Sequence, residues 1–140
     1  MMISYTEKMS AEEYNELRLS VDWKALTPGQ AERGLTHTAF VVAARDGEKI
    51  VGMGRMLFDF GYTAYLGDVI VRPEYQGQGI GTEIVTRLKD MVMEAAEPGD
   101  KIMFILGAAK GKEAFYEKFG FKVRPNEFSG SGMSMWRVKE

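Results

Sequence analysis

A short glycine-rich segment, Gln76-Gly77-Gln78-Gly79-Ile80-Gly81, is the part of the sequence best suited to bind a charged ligand. It follows an apolar run and precedes a segment whose apolar residues recur at helical spacing. Glycine adopts positive φ angles and lets a ligand approach the main chain, so several N–H groups can point at one anion. The positive end of the following helix adds to the attraction. This segment, the glycine loop, predicts a diphosphate-binding site; a tight turn without a ligand is the alternative.

The spacing of the glycines excludes two common phosphate-binding motifs. The loop lacks the Gly-Lys-Ser/Thr of nucleoside-triphosphate P-loops, and its third glycine comes too early for a dinucleotide-binding fingerprint. It also follows a predicted antiparallel meander, whereas the dinucleotide fingerprint follows the first strand of a parallel sheet.

Two other side chains could do chemistry. Asp68 is an acid in an otherwise apolar run, where an unpaired buried carboxylate would be costly. It therefore acts as a base or substrate anchor, or it caps local backbone or pairs with Arg55 or Arg72. His37 could be a base, but a lone histidine at a strand entrance is more often structural or solvated. With one histidine and no cysteine, the sequence predicts no metal site.

The bulk composition narrows the class of protein. The 140 residues suit one domain, and the net charge of −2 provides no broad basic field for nucleic acid or a membrane surface. We find no apolar stretch of membrane-spanning length and no signal-peptide pattern at the start. These features predict a cytoplasmic protein without nucleic-acid or membrane partners.

The elements that must position the glycine loop follow from periodicity and turn signals. Ser10 and Glu13 form a capping-box pattern, and Asp46-Gly47 between apolar runs predicts a hairpin. We predict strands at residues 3–6, 40–44, 50–53, 62–71, 101–106, 121–123 and 133–138, and helices at 10–19, 30–34, 80–95 and 111–119. This order gives an α/β (α+β) fold with a mixed, mostly antiparallel sheet and one parallel crossover after the loop. The apolar content of residues 62–71 predicts a central strand buried on both faces.

Two segments resemble the GCN5-related N-acetyltransferases. The stretch Asp68-Val69-Ile70-Val71-Arg72-Pro73-Glu74-Tyr75-Gln76-Gly77-Gln78-Gly79-Ile80-Gly81 is similar to the family's acetyl-CoA-binding motif, with Gln76, Gly79 and Gly81 at its fixed positions. The stretch Ala114-Phe115-Tyr116-Glu117-Lys118-Phe119-Gly120-Phe121 is similar to its second recurrent segment. The predicted element order is also the family's order.

The resemblance implies a single domain over residues 1–140, with helices flanking the sheet and a splayed central strand pair that admits acetyl-CoA as co-substrate. It implies main-chain contacts to the pantetheine arm from Val69, Ile70 and Val71. It places the diphosphate on the glycine loop, that is, on Gln76, Gly77, Gln78, Gly79, Ile80 and Gly81, together with Thr82. The segment of residues 107–110 lacks the asparagine that many members use for CoA, and Lys110 or Lys112 could supply a phosphate contact instead.

The catalytic roles also follow from the resemblance. The N–H of Val69 would face the thioester oxygen as an oxyanion donor. Tyr116 would contact CoA and protonate its departing sulfur, and a phenol with a pKa of about 10 is protonated for this at neutral pH; packing in a core is the alternative. An alkylamine is mostly protonated at pH 7, so its attack needs a proton acceptor, with Asp68 the first candidate. Some members carry a carboxylate base where this chain has Tyr65.

The implied activity is transfer of an acetyl group from acetyl-CoA to a primary amine by direct attack. The acceptor is a small molecule or a peptide amine, and the net charge slightly favours cationic small amines. Residues 55–58, with Trp23 and Phe128, either line the acceptor pocket or pack as ordinary core and surface. Transfer of a larger acyl group and a non-catalytic acyl-CoA sensor stay open. So does a homodimer that uses the predicted strand at residues 133–136.

Overall fold

An open mixed sheet of five strands organises the structure, a computed structural model that describes residues 2–140. The strands lie side by side in chain order: β1 Ile3–Thr6, β2 Phe40–Asp46, β3 Lys49–Phe58, β4 Thr63–Val71 and β5 Met103–Leu106. The helices are α1 Ala11–Ser20, α2 Pro28–Thr36, α3 Ile80–Ala95 and α4 Glu113–Glu117. The predicted mixed sheet flanked by helices is confirmed.

The described residues fall into two compact units, residues 2–104 and Ile105–Glu140. The predicted single domain over residues 1–140 stays a prediction, and Met1 lies outside the described residues. None of the helices in the described part of the chain has both the length and the apolar character that a membrane span requires.

The sequence signals for turns and caps form as expected in the first unit. Ser10 caps α1, because its hydroxyl accepts the N–H of Glu13 while the Glu13 carboxylate accepts the N–H of Ser10, both at 3.0 Å. Gly47 turns β2 into β3 with a φ of 62°, so that Asp46 lies opposite Lys49. The start of α1 and the first turn of the predicted meander are therefore fixed by local chemistry.

Helices cover the sheet of the first unit on two faces. One face packs against α1 and α2 through a buried cluster: Tyr14, Leu17, Ala31, Ala43, Ile50, Met53 and Ile70. The other face packs against α3, whose apolar stripe is buried at Ile80, Ile84, Val85, Leu88 and Val92. A Cβ added at Gly54 would lie 2.6 Å from a methyl carbon of Ile84, so glycine permits the close approach of α3 to β3.

Strand β4 contains a bulge that interrupts its alternation. Gly67 pairs with Arg55 and Ile70 pairs with Met53, so Asp68 and Val69 together lie opposite one residue of β3.

The expectation that residues 62–71 are buried on both faces is wrong. Leu57 and Tyr65 lie opposite each other on the α1 side and are 41% and 40% exposed, because the cluster under α1 and α2 does not include this end of the strands.

The second unit differs most from expectation. Helix α4 is shorter than predicted, and glycines with positive φ, Gly111 and Gly120, lie on either side of it. The strands predicted at residues 121–123 and 133–138 are wrong, since the described residues after α4 form no strand. Met133 and Trp136 are 95% and 93% exposed. Strand propensity alone does not make a strand where no neighbouring strand pairs with the segment, so the predicted dimer edge at residues 133–136 loses its basis.

Candidate functional site

The glycine loop takes a conformation that only glycine adopts easily. Gly77 and Gly79 have φ angles of 81° and 82°, and a Cβ added at either would meet no atom within 4 Å. Glycine is therefore needed here for the backbone angle, and the space beside the loop is open to a ligand.

Gly79 is also the N-cap of α3, a helix of 16 residues. The first bond of the helix runs from the N–H of Glu83 to the carbonyl of Gly79 at 3.0 Å. The N–H groups of Ile80 and Gly81 precede that bond in the first turn, where helical N–H groups lack an intrahelical acceptor. The loop thus directs main-chain donors and the positive end of a long helix toward the same open space.

The start of the loop is anchored to the sheet by side chains. Arg72 donates from Nε to the carbonyl of Ile50 at 2.7 Å, and the Tyr75 hydroxyl donates to Asp46 at 2.5 Å. The Gln76 amide donates to the carbonyl of Val71 at 2.9 Å. The main-chain N–H of Gln76 donates to the carbonyl of Pro73 at 3.2 Å. Both the side chain and the N–H of Gln76 therefore hold the loop against the end of β4, and the predicted diphosphate contact from Gln76 stays a prediction.

Asp68 lies at the β4 bulge, directly before Val69. Its φ of 50° is unusual for a residue other than glycine and costs on the order of 1 kcal/mol. Its Oδ2 accepts hydrogen bonds from the Tyr14 hydroxyl and from Arg55 Nε, the latter at 2.8 Å. Oδ1 lies 3.6 Å from Arg18 Nη1. The pairing of Asp68 with Arg55, one of the alternatives from the sequence, is therefore present.

Arg55 extends this network to α2 and its end. Its Nη1 donates to the hydroxyl of Thr38 at 2.8 Å and to the carbonyl of Gly34 at 3.5 Å. Burial alone would lower the pKa of Arg55, but the hydrogen bond with Asp68 and the nearby negative charge raise it overall. Arg55 therefore stays charged and joins the bulge to the elements around it.

Tyr14 is almost fully buried beside the same carboxylate. Burial, followed by its hydrogen bond to Asp68, raises the pKa of the Tyr14 phenol to about 12. The phenol is protonated at neutral pH, so it acts as a donor that supports the strained bulge. Val69, whose N–H is the predicted oxyanion donor, is the next residue along the strand.

Sequence reasoning missed Tyr14 and Arg18, which lie on one side of α1. They are four residues apart, a spacing that places side chains on the same helix face. A tyrosine and an arginine four residues apart on the predicted helix were the available signal. The acid they meet comes from a distant strand, so the sequence did not reveal their partner.

The predicted acceptor-pocket residues separate into different places. The Trp23 ring lies 5.6 Å from the Arg18 guanidinium, next to the Asp68 network. Met56 and Phe58 are buried, in agreement with the core-packing alternative, whereas Leu57 is exposed. Phe128 belongs to the second unit and is 85% exposed. His37 is an exposed C-cap of α2.

Tyr116 lies on α4 in the second unit, half-buried among aromatic rings. Its ring is 4.9 Å from that of Phe115 and 6.2 Å from that of Phe121. Burial raises the pKa of its phenol. The exposed Lys112 is the N-cap of α4, and its N–H donates to the carbonyl of Ala109.

Comparison with known proteins relates this chain to acetyltransferases. The family model of the acetyltransferase (GNAT) domain matches residues 36–123, more than half of the chain. A GCN5-related N-acetyltransferase 2 from Arabidopsis thaliana chloroplasts is 34% identical over 83 residues, 59% of this chain and 31% of that protein. An uncharacterised N-acetyltransferase from Porphyra purpurea is 25% identical over 91% of this chain and 74% of its own length.

Solved structures agree with the sequence relatives. A probable acetyltransferase of unknown function from meticillin-resistant Staphylococcus aureus superposes with a TM-score of 0.86 at 28% identity. The superposition covers 97% of this chain and 100% of that one. The match to the Arabidopsis protein, in contrast, spans only about a third of that relative's length.

Proposed function

The chain belongs to the GCN5-related N-acetyltransferase family, and from this premise we propose that it transfers the acetyl group of acetyl-CoA to a primary amine. The observation that carries the proposal is the glycine loop. Two positive-φ glycines beside open space lead into the N-terminus of α3, immediately after the bulged strand β4. This arrangement suits a diphosphate at the loop and an extended arm along β4.

In this proposal, the glycine loop and strand β4 provide the main-chain contacts to acetyl-CoA. The N–H groups of residues 77–81, and Thr82, hold the diphosphate. Val69, Ile70 and Val71 offer main chain to the pantetheine arm, with the carbonyl of Val71 already taken by Gln76. Lys112 adds a phosphate contact from its exposed position. Acetyl-CoA supplies the activated acyl group as its thioester.

The proposed reaction is a direct attack. The neutral amine nitrogen forms a bond to the thioester carbonyl carbon, and the Val69 N–H donates to the oxygen that gains negative charge; such a donor contributes about 3 kcal/mol. The carbon–sulfur bond then breaks, and the sulfur takes the Tyr116 hydroxyl proton. The amine proton leaves through water to an acceptor, and the tyrosine is reprotonated from solvent. The amide and CoA thiol are the products.

Asp68 has two proposed roles that fit its contacts. Its Oδ2 is committed to Tyr14 and Arg55, which keeps the bulge in its positive-φ conformation and so aims the N–H of Val69. Its Oδ1 is 3.6 Å from the nearest arginine nitrogen, beyond hydrogen-bonding distance, and is the oxygen that would receive the amine proton through water.

The test is calorimetry with acetyl-CoA, followed by a thiol-release screen against a panel of amines. We expect micromolar binding and thiol release that depends on the amine. Binding without release across a broad panel would favour the non-catalytic sensor. Larger acyl-CoA donors in the same screen test the alternative acyl group, and absence of acetyl-CoA binding would refute the proposal.

A further inference from the structure

Two guanidinium groups and one carboxylate meet beside the β4 bulge, and together they carry one excess positive charge. The side chains of Arg18, Arg55 and Asp68 are 16%, 21% and 17% exposed. Helix α1, which carries Arg18, also carries Glu13 and Glu16. These two glutamates do not neutralise the excess charge, because Glu13 pairs with Arg45 and Glu16 with Arg72. A half-buried site with excess charge of one sign favours a ligand of the other sign.

Arg18 is the arginine whose terminal nitrogens are available. Its Nε donates to the carbonyl of Lys24 at 2.7 Å, and its guanidinium carbon lies 5.9 Å from the Tyr14 ring centre and 5.6 Å from that of Trp23. These contacts hold the group in one orientation. Among residues 2–140 the structure shows no hydrogen bond from Nη1 or Nη2 of Arg18; Nη1 forms only an ion pair with Asp68 Oδ1, at 3.6 Å. Arg55, in contrast, uses both Nε and Nη1.

A tethered guanidinium whose two terminal nitrogens make no hydrogen bond in the described residues is suited to a carboxylate or phosphate. Such a group can accept two parallel N–H bonds in the planar geometry of the arginine. The rings of Tyr14 and Trp23 limit the exposure of Arg18, so a bound anion would be partly shielded from water. A purely cationic amine would instead meet two like charges here.

We propose that the acceptor amine carries an anionic oxygen group, a carboxylate or phosphate, that binds Arg18. This inference rests on the proposed function, because it assigns the acceptor side of the same site. The Asp68 carboxylate lies between the β4 bulge and Arg18. The acceptor's amine therefore lies toward Asp68, and its anionic group lies toward Arg18 and Trp23. The diphosphate of acetyl-CoA has its own site at the glycine loop and does not need Arg18.

Matched ligand pairs test the inference by calorimetry in the presence of saturating CoA. One arm compares free amino acids with their amides, which lack the carboxylate. The other compares phosphoethanolamine and amino-sugar phosphates with their dephosphorylated forms. We expect the anionic member to bind about tenfold more tightly in at least one arm, and that arm identifies carboxylate or phosphate.

The variant Arg18→Gln should remove this preference and leave acetyl-CoA affinity unchanged. The control Arg87→Gln removes an exposed arginine of α3 that pairs with Glu83, so it should retain the preference. Equal affinity for both members in each arm, or a preference that survives Arg18→Gln, would overturn the inference. A protein that acetylates amines with and without an anionic group equally well fails only this inference, whereas one that does not bind acetyl-CoA fails the proposed function as well.

Discussion

At the scale of single residues, the proposed reaction depends on side chains whose surroundings set their charge. The hydroxyl of Tyr116 is half-buried, and burial raises its pKa above the usual value near 10. The phenol therefore keeps its proton at neutral and mildly alkaline pH, as a proton donor to a thiolate must.

Tyr116→Phe removes that proton donor and changes little else in the aromatic packing around it. We expect kcat to fall by about 10² to 10⁴ while the affinity for acetyl-CoA stays nearly unchanged. Steady-state kinetics and calorimetry measure the two quantities separately. Tyr62→Phe, at an exposed tyrosine of the first unit, is the control. An unchanged kcat in Tyr116→Phe would remove Tyr116 from the acid role.

Tyr14 makes a prediction about stability at alkaline pH. Its pKa is raised from 10.0 to about 12 in the folded state, so the folded protein holds this proton more tightly than the unfolded chain. The resulting stabilisation is complete below about pH 10 and is lost as the pH rises toward 12.

Tyr14→Phe should therefore lower the free energy of unfolding by about 1–3 kcal/mol at about pH 8, because it leaves Asp68 without one donor. The difference from the wild type should narrow at about pH 11, where the wild type has lost part of its advantage. Urea unfolding at both pH values gives the comparison. A difference that is the same at both would show that the tyrosine proton is not held as described.

At the scale of secondary-structure elements, the glycine loop allows a matched comparison. Gly79 and Gly99 have φ angles of 82° and 93°, and both lie beside open space. An aspartate at either position is strained by on the order of 1 kcal/mol, but only Gly79 lies at the N-terminus of α3.

Gly79→Asp should abolish acetyl-CoA binding, because its carboxylate and bulk occupy the proposed diphosphate site. Gly99→Asp should bind acetyl-CoA like the wild type at a similar loss of stability. Calorimetry measures the binding, and thermal unfolding confirms that both variants fold. Tight binding by Gly79→Asp would refute the assignment of the loop.

The elements also show what local sequence can predict. Neighbouring residues alone determine three features: the capping box at Ser10, the turn at Gly47 and the conformation of the glycine loop. All three form in the structure. The bulge at Asp68 depends on the register between β3 and β4, so no local pattern reveals it.

Features that combine distant elements were harder to predict. The network around Asp68 joins side chains from α1, β3 and the segment that follows α2, which no spacing in the sequence connects. The strands expected at residues 121–123 and 133–138 failed for a related reason: their propensity was judged without a pairing partner.

At the scale of the whole molecule, net charge and local charge lead to different expectations for the acceptor. The net charge of −2 slightly favours cationic amines. The cluster of Arg18, Arg55 and Asp68 carries a local excess of positive charge, which favours an acceptor with an anionic group. We give the local cluster more weight, because charges at a few ångströms act more strongly than a screened average over the surface.

Transfer of a labelled acetyl group tests the central claim most directly. The protein is incubated with acetyl-CoA that carries an isotope in its acetyl group and with the amine panel, and the products are analysed by mass spectrometry. We predict the label on an amine nitrogen of the acceptor, together with an equal amount of CoA thiol, and loss of both products in Gly79→Asp. Label that stays on CoA with every amine, in a folded protein that binds acetyl-CoA, would contradict the claim that this chain is an acetyltransferase.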